Sequence, residues 1–130
     1  VNYANTPKFS IHGYDAVMKS LSANQGNQIE HRDLVNFEGI EITDREATAS
    51  LSIEAPKLSD FDPFAAAKNG TLGAFNFEHG KTAGSIVALT APQAQITNPR
   101  YGEDGRIAML DLDVTFVTGA GDDDFILTIK

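Results

Sequence analysis

The chain has 130 residues, enough for one hydrophobic core, and its 42% hydrophobic and 22% charged residues argue against a disordered or fibrous protein. The formal net charge of −8 argues against a groove for DNA or an acidic membrane, because such binding needs clustered Lys and Arg. The chain has no Cys, which excludes disulfides, and no apolar run near the about 20 residues of a membrane-spanning helix, so we expect no membrane partner.

The first half of the chain gives weak strand signals. Residues 8–14 and 17–23 alternate between apolar and polar side chains with mixed faces, which indicates two strands. Residues 38–43 and 50–54 alternate more regularly. The turn residues at 43–46 favour a hairpin between these last two strands.

A short helix is predicted over residues 63–69. Asp62 can accept backbone N–H bonds as the N-cap, a proline suits the first helical position, and Gly70 suits a left-handed stop. A helix of about two turns is not stable alone in water, so we expect Phe61 and Phe64 to anchor it on a sheet.

The second half of the chain alternates more clearly. Residues 73–78 and 85–91 predict a hairpin around the glycine-flanked turn 79–84. Two prolines then bracket a short strand at 94–97.

The clearest strand runs over residues 106–117, after a turn at 101–105. One face carries the apolar residues Ala108, Leu110, Leu112, Val114 and Phe116. Residues 125–130 alternate in the same way, and the Gly- and Asp-rich segment before them predicts a hairpin with the clear strand.

These patterns together predict one all-β domain over residues 1–130, mainly an antiparallel β-sandwich or barrel, with one short flanking α-helix. The chain begins with Val and stops inside a strand-like run. We therefore expect it to be a fragment of a longer chain.

The residues that could bind a metal are dispersed. His12, His31 and His79 match no metal-ligand spacing, and we expect His79 to be solvated in its turn. The acidic runs at 103–104 and 122–124 do not match the twelve-residue calcium loop, which favours solvated turns over calcium sites.

Asp111 and Asp113 lie two residues apart on the polar face of the clear strand. Paired carboxylates can perform acid–base chemistry, but the absence of Trp and of an aromatic sugar-stacking cluster favours a hydrated surface. The nucleophile elbow, the phosphate-binding loop and the dinucleotide fingerprint are absent as well. We therefore predict no enzyme activity, no catalytic or metal-binding residues and no cofactor.

An ordered series of segments resembles the tail tube proteins of long-tailed bacteriophages and prophages. The segments are 38–46 (EGIEITDRE), 51–56 (LSIEAP), 61–64 (FDPF), 79–84 (HGKTAG) and 98–105 (NPRYGEDG), followed by the alternating strand. The similarity spans about residues 12 to 130, and the order of the segments carries it.

This resemblance implies a structural virion protein of a phage tail, assembled in the host cytoplasm. It implies a β-sandwich with one flanking helix that forms hexameric rings, and these rings stack into a tube through which DNA passes without specific binding. The partners would be copies of the same chain and other tail proteins.

The implied assembly suggests where particular residues lie. Like charge repels phosphates over a screening length of about 8 Å, so we expect Asp111 and Asp113 to face the lumen. The polar stretch 24–36 is expected to be mobile and to order against a neighbouring subunit. The apolar C-terminal strand is expected to contact a subunit through Phe125, Leu127 and Ile129.

Three alternatives stay open at the level of the sequence. One is another tail or baseplate structural domain, which electron microscopy of the assembled protein would separate from a tail tube. A calcium- or carbohydrate-binding β-sandwich module would need an oxygen cage or an exposed aromatic platform. An enzyme that uses the acidic pair would need a cleft and a carboxylate with a raised pKa.

Overall fold

The computed structural model describes residues 2–130 and confirms the all-β class with one short helix. The ten strands are β1 (Lys8–Ile11), β2 (Tyr14–Asp15), β3 (Met18–Asn24), β4 (Asn27–Leu34), β5 (Phe37–Arg45), β6 (Thr48–Glu54), β7 (Leu72–His79), β8 (Val87–Asp104), β9 (Ile107–Phe116) and β10 (Ile126–Ile129). The helix α1 is Pro63–Asn69. None of the helical segments in residues 2–130 has the length and apolarity to cross a membrane.

The main sheet has eight strands, paired antiparallel throughout, in the order β2-β1-β7-β8-β9-β6-β3, with β10 also on β8. Its two end strands, β2 and β3, are joined in the chain by only Ala16 and Val17. Two linking residues span at most about 11 Å between the strand ends. The sheet therefore curls so that its two end strands come close at this connection, which gives a barrel-like shape.

The core fills the inside of this curled sheet. Strands from opposite ends of the strand order contribute to one cluster, because Ile11 of β1 and Ile53 of β6 are both completely buried in it. Phe75 packs at its centre, with ring centroids 5.7 Å from Phe9 and 5.3 Å from Phe116. The alternation predicted for the clear strand is confirmed from Leu110 to Phe116 in β9.

The predicted helix is confirmed with both of its ends. The carboxylate of Asp62 accepts hydrogen bonds from the N–H groups of Phe64 (3.1 Å) and Ala65 (3.0 Å). Gly70 ends the helix with φ of 63°, the left-handed conformation that glycine adopts at least cost. Phe61 stacks on Tyr14 of β2 at 5.3 Å, which anchors the helix start on the sheet.

The predicted hairpin of β7 and β8 is confirmed, but the short strand at 94–97 is wrong, because β8 continues through both prolines. At Pro92 and at Pro99, two residues of β8 face one residue of the partner strand. Such bulges leave an N–H unpaired, so a proline fits there. The turn predicted at 101–105 is also shorter, since only Gly105 and Arg106 connect β8 to β9.

The predicted hairpin of β9 and β10 is wrong. Thr90 of β8 pairs with Asn76 of β7 on one side and with Ile126 of β10 on the other. Strand β10 thus lies on the same edge of β8 as β9, and it continues β9 along that edge after the excursion 117–125. The aspartates form a side loop instead of a hairpin turn.

The predicted hairpin of residues 38–43 and 50–54 is wrong as well. Strand β5 pairs with β4, whereas β6 pairs with β3 and β9. The stretch 24–36, which we expected to be mobile, contains a full strand, β4.

Candidate interaction surfaces

The hairpin of β4 and β5 is a separate two-stranded sheet. Every residue of β4 is exposed, so neither face of this strand is covered by the rest of the molecule. A two-stranded hairpin alone is at best marginally stable in water. The apolar side chains of this hairpin are therefore open to solvent in the single chain.

One side of this hairpin carries three exposed isoleucines. Ile29 faces Ile42 across the two strands, and His31 faces Ile40. Because residues two apart in a strand share a face, these isoleucines form one patch. The exposed fractions are 63% for Ile29, 73% for Ile40 and 63% for Ile42. We call Ile29, Ile40 and Ile42 the isoleucine face.

The predicted contact strand, β10, also exposes apolar side chains, but its residues differ in their surroundings. Phe125, just before β10, packs against Phe116 at 6.2 Å and contributes to the core. Leu127 is 59% exposed beside Leu89, its partner on β8, and Ile129 is 72% exposed. Leu127 and Ile129 are thus the predicted contact residues that a neighbour can reach.

The outer side of β3, β6, β9 and part of β8 is a continuous polar surface. The strands align in register, so that Ser20, Ser52 and Asp111 form one row. The whole polar face consists of Ser20, Ser22, Asn24, Thr48, Ser50, Ser52, Gln95, Thr97, Arg100, Asp111, Asp113 and Thr115. The alternate residues of these strands fill the core, so the polar face is what this wall presents to solvent.

The two predicted lumen aspartates both lie on the polar face, with different neighbours. The carboxylate of Asp113 accepts hydrogen bonds from Ser50 Oγ (2.9 Å) and Asn98 Nδ2 (3.2 Å) and faces Arg100 Nη1 at 3.4 Å. Within residues 2–130, the carboxylate of Asp111 has no such partner. Asp111 lies opposite Arg100 in the strand register, but the Arg100 guanidinium reaches Asp113, so within residues 2–130 Asp111 forms no ion pair.

The acidic residues 122–124 form ion pairs and hydrogen bonds with other residues of the chain. Asp124 is buried and pairs with Arg45 Nη2 at 2.6 Å. Asp123 accepts hydrogen bonds from the backbone N–H groups of Ala120 (3.0 Å) and Gly119 (2.8 Å), and these bonds lower the pKa of Asp123 below its ordinary value of 3.8. In the other run, Asp104 pairs with Lys19 at 2.9 Å.

Because the folded state lowers the pKa of Asp123, the loop bonds are present above pH 3.8 and are lost as the pH falls through the folded value. We expect Asp123→Ala to speed amide exchange at Gly119 and Ala120 at neutral pH, since both N–H groups lose their acceptor. Amide-exchange and titration measurements by NMR check this. An Asp123 carboxyl that titrates at or above 3.8 would contradict the assignment.

Two of the three histidines support the fold. His12 Nε2 lies 2.8 Å from the carbonyl oxygen of Ala94, and the His12 ring lies so close to Gly73 that a Cβ there would clash with it. The expectation that His79 is solvated in a turn is wrong, because His79 ends β7, is half-buried and bonds Thr6 Oγ1 at 3.0 Å. In the described part of the chain, no three His, Asp or Glu side chains group as a metal site.

Two solved structures share this fold. A chain in the tail of an empty gene transfer agent particle, refined with C6 symmetry, matches with a TM-score of 0.51 and 16% identity, over 88% of this chain and 83% of that chain. A chain in the virion of a native gene transfer agent particle matches with a TM-score of 0.56 and 13% identity, over 100% of this chain and 98% of that chain. Neither the protein-family models nor the curated proteins give a match.

The chain thus has the fold of proteins found in the tail and virion of gene transfer agent particles. At these identities the similarity concerns the fold alone.

Proposed function

We propose that this protein is the subunit of a phage-type tail tube, a structural virion protein whose hexameric rings stack into a conduit for DNA. The observation that carries the proposal is the β4–β5 hairpin with its exposed isoleucine face, which the subunit alone leaves uncovered. The shared fold with chains of gene transfer agent tail and virion particles supports it.

The exposed apolar residues of the hairpin favour self-association. Burying an isoleucine side chain yields about 1.5–3 kcal/mol, so a contact that covers three of them supplies much of the free energy for a stable interface. Copies of the same chain are the natural partners, because tail assemblies repeat one subunit. The exposed residues Leu127 and Ile129 provide a second apolar surface for a neighbouring copy.

We assign the polar face to the inner wall of the tube. Small hydroxyl side chains leave a smooth hydrated surface, and Ser20, Ser52 and Asp111 lie level across three strands. DNA must pass without being held, and a carboxylate that forms no ion pair repels its phosphates. Asp111 is therefore the residue of this wall that meets passing DNA most directly.

The proposal is tested by sedimentation velocity of the unmodified chain over a wide concentration range. Tail tube subunits are expected to shift from monomer to rings and larger stacks as the concentration rises. A chain that stays monomeric at every concentration would overturn the proposal.

Replacing Asp111 with Lys is expected to slow DNA passage through assembled tubes while leaving tube formation unchanged, because the substitution places positive charge on the wall. The rate of DNA release from particles carrying the variant measures this. Asp60→Lys, which makes the same charge change in an exposed loop, is the control. Equal DNA release rates for both variants would show that Asp111 does not face the lumen.

A further inference from the structure

The base of the hairpin is attached to the body by a single ion-pair cluster. Arg45, the last residue of β5, places Nη2 at 2.6 Å from Asp124 Oδ1 and at 3.4 Å from Asp122 Oδ1. The Asp124 side chain is only 5% exposed, whereas that of Asp122 is 99% exposed. Asp124 is therefore the structural partner of Arg45, and Asp122 is peripheral.

Within residues 2–130, this cluster holds the only ion pairs or side-chain hydrogen bonds between the hairpin and the rest of the chain. The other polar side-chain contacts of β4 and β5 stay inside the hairpin, such as Arg32 to Glu41 at 3.0 Å and His31 to Glu38 at 3.4 Å. In the described part of the chain, β4 and β5 pair with no strand of the main sheet, and the short connections 25–26 and 46–47 lead into and out of the hairpin.

The partner side of the pair is held rigidly. Asp124 precedes Phe125, whose ring packs on Phe116 in the core. On the other side, the Asp123 carboxylate accepts hydrogen bonds from the N–H groups of Gly119 and Ala120, which holds the loop closed. A buried carboxylate that lost its cation would remain desolvated without compensation, which is costly. The loop thus presents a fixed acceptor to Arg45.

We propose that the Arg45–Asp124 pair sets the direction in which the hairpin projects from the body. Two short connections alone allow the hairpin to swing, and a second attachment removes that freedom. The pair also couples the hairpin to the segment that leads into β10, so the two apolar surfaces keep a fixed relative position. This inference concerns the free subunit and does not depend on ring formation.

The test measures the direction of the hairpin by pulsed electron paramagnetic resonance. The chain has no Cys, so Val35→Cys at the hairpin tip and Lys68→Cys on α1 give two unique nitroxide sites. The distance distribution is compared between the otherwise unchanged chain and Arg45→Met/Asp124→Leu, which removes both charges and leaves no buried charge unpaired. Asp122→Asn, at the exposed and longer contact, is the matched control.

We expect the double variant to broaden the distribution at least twofold and the Asp122→Asn control to keep the original width. An unchanged width in the double variant would overturn the proposal. If the double variant does not fold, Asp124→Asn, which keeps the side-chain size, is measured against the same criterion. Dilute monomer is used throughout, so a failure of the proposed assembly would not affect this result.

Discussion

Changing the isoleucine face from Ile29, Ile40 and Ile42 to threonine is expected to raise the concentration needed for assembly about 100-fold. Threonine keeps the β-branched shape that suits a strand, so the hairpin itself should persist. Each substitution removes about 1 kcal/mol of apolar burial, and about 3 kcal/mol for each hairpin contact corresponds to about two powers of ten in concentration. Sedimentation velocity of the variant and the parent chain measures the shift.

The matched control is Glu30→Thr, one residue from Ile29 and therefore on the opposite face of the same strand. It changes a similarly exposed position without removing apolar surface, and we expect it to assemble like the parent chain. Unchanged assembly of the triple variant would show that the isoleucine face is not covered by a neighbour.

Replacing Leu112 with Ala is expected to destabilise the fold by about 2–5 kcal/mol, which corresponds to a melting temperature lower by about 8–20 °C. Leu112 is 1% exposed and lies opposite Leu51 of the neighbouring strand β6, so its truncation leaves a cavity inside the curled sheet. The loss is a large part of the about 5–15 kcal/mol by which domains are stable. Thermal unfolding followed by circular dichroism measures it.

The control for this substitution is Leu127→Ala, the same change at a residue that is 59% exposed. We expect that variant to melt within about 2 °C of the parent chain, since surface substitutions change stability little. Equal melting temperatures for the two variants would contradict the inward assignment of the apolar residues of β9.

The sequence predicts the elements whose local pattern and burial agree. Strand β9 alternates because one of its faces lines the core and the other is the polar face, and α1 carries both its capping residues, Asp62 and Gly70. The hairpin of β7 and β8 is local in sequence, since seven residues, 80–86, connect its strands. In these cases the residues that decide the structure lie next to each other in the chain.

The sequence does not predict the pairings that depend on distant strands. Strand β4 is exposed along its whole length and has no apolar alternation to reveal it. Strand β10 pairs with β8 because Leu127 meets Leu89, 38 positions away in the chain, which no local turn signal indicates. The bulges that let β8 pass Pro92 and Pro99 exist only because β7 and β9 lie beside it.

The candidate surfaces also differ in how much of them the sequence predicts. Asp111 and Asp113 can be placed on a polar face from alternation alone. That the side chains of Ser50, Asn98 and Arg100 bind the carboxylate of Asp113 depends on contacts between strands. The Arg45–Asp124 pair joins residues 79 positions apart, and its Asp belongs to a run that the sequence suggests is solvated. Contacts between residues this far apart in the chain are not predicted by local sequence patterns.

We propose that copies of this chain form rings that stack through the β4–β5 hairpin, with the polar face inside. Cryo-electron microscopy of the concentrated protein is the decisive measurement. We expect hollow stacks of six-membered rings in which the hairpin lies against a neighbouring subunit and Asp111 faces the channel. Monomers at every concentration, or assemblies in which the hairpin stays free in solvent, would contradict it.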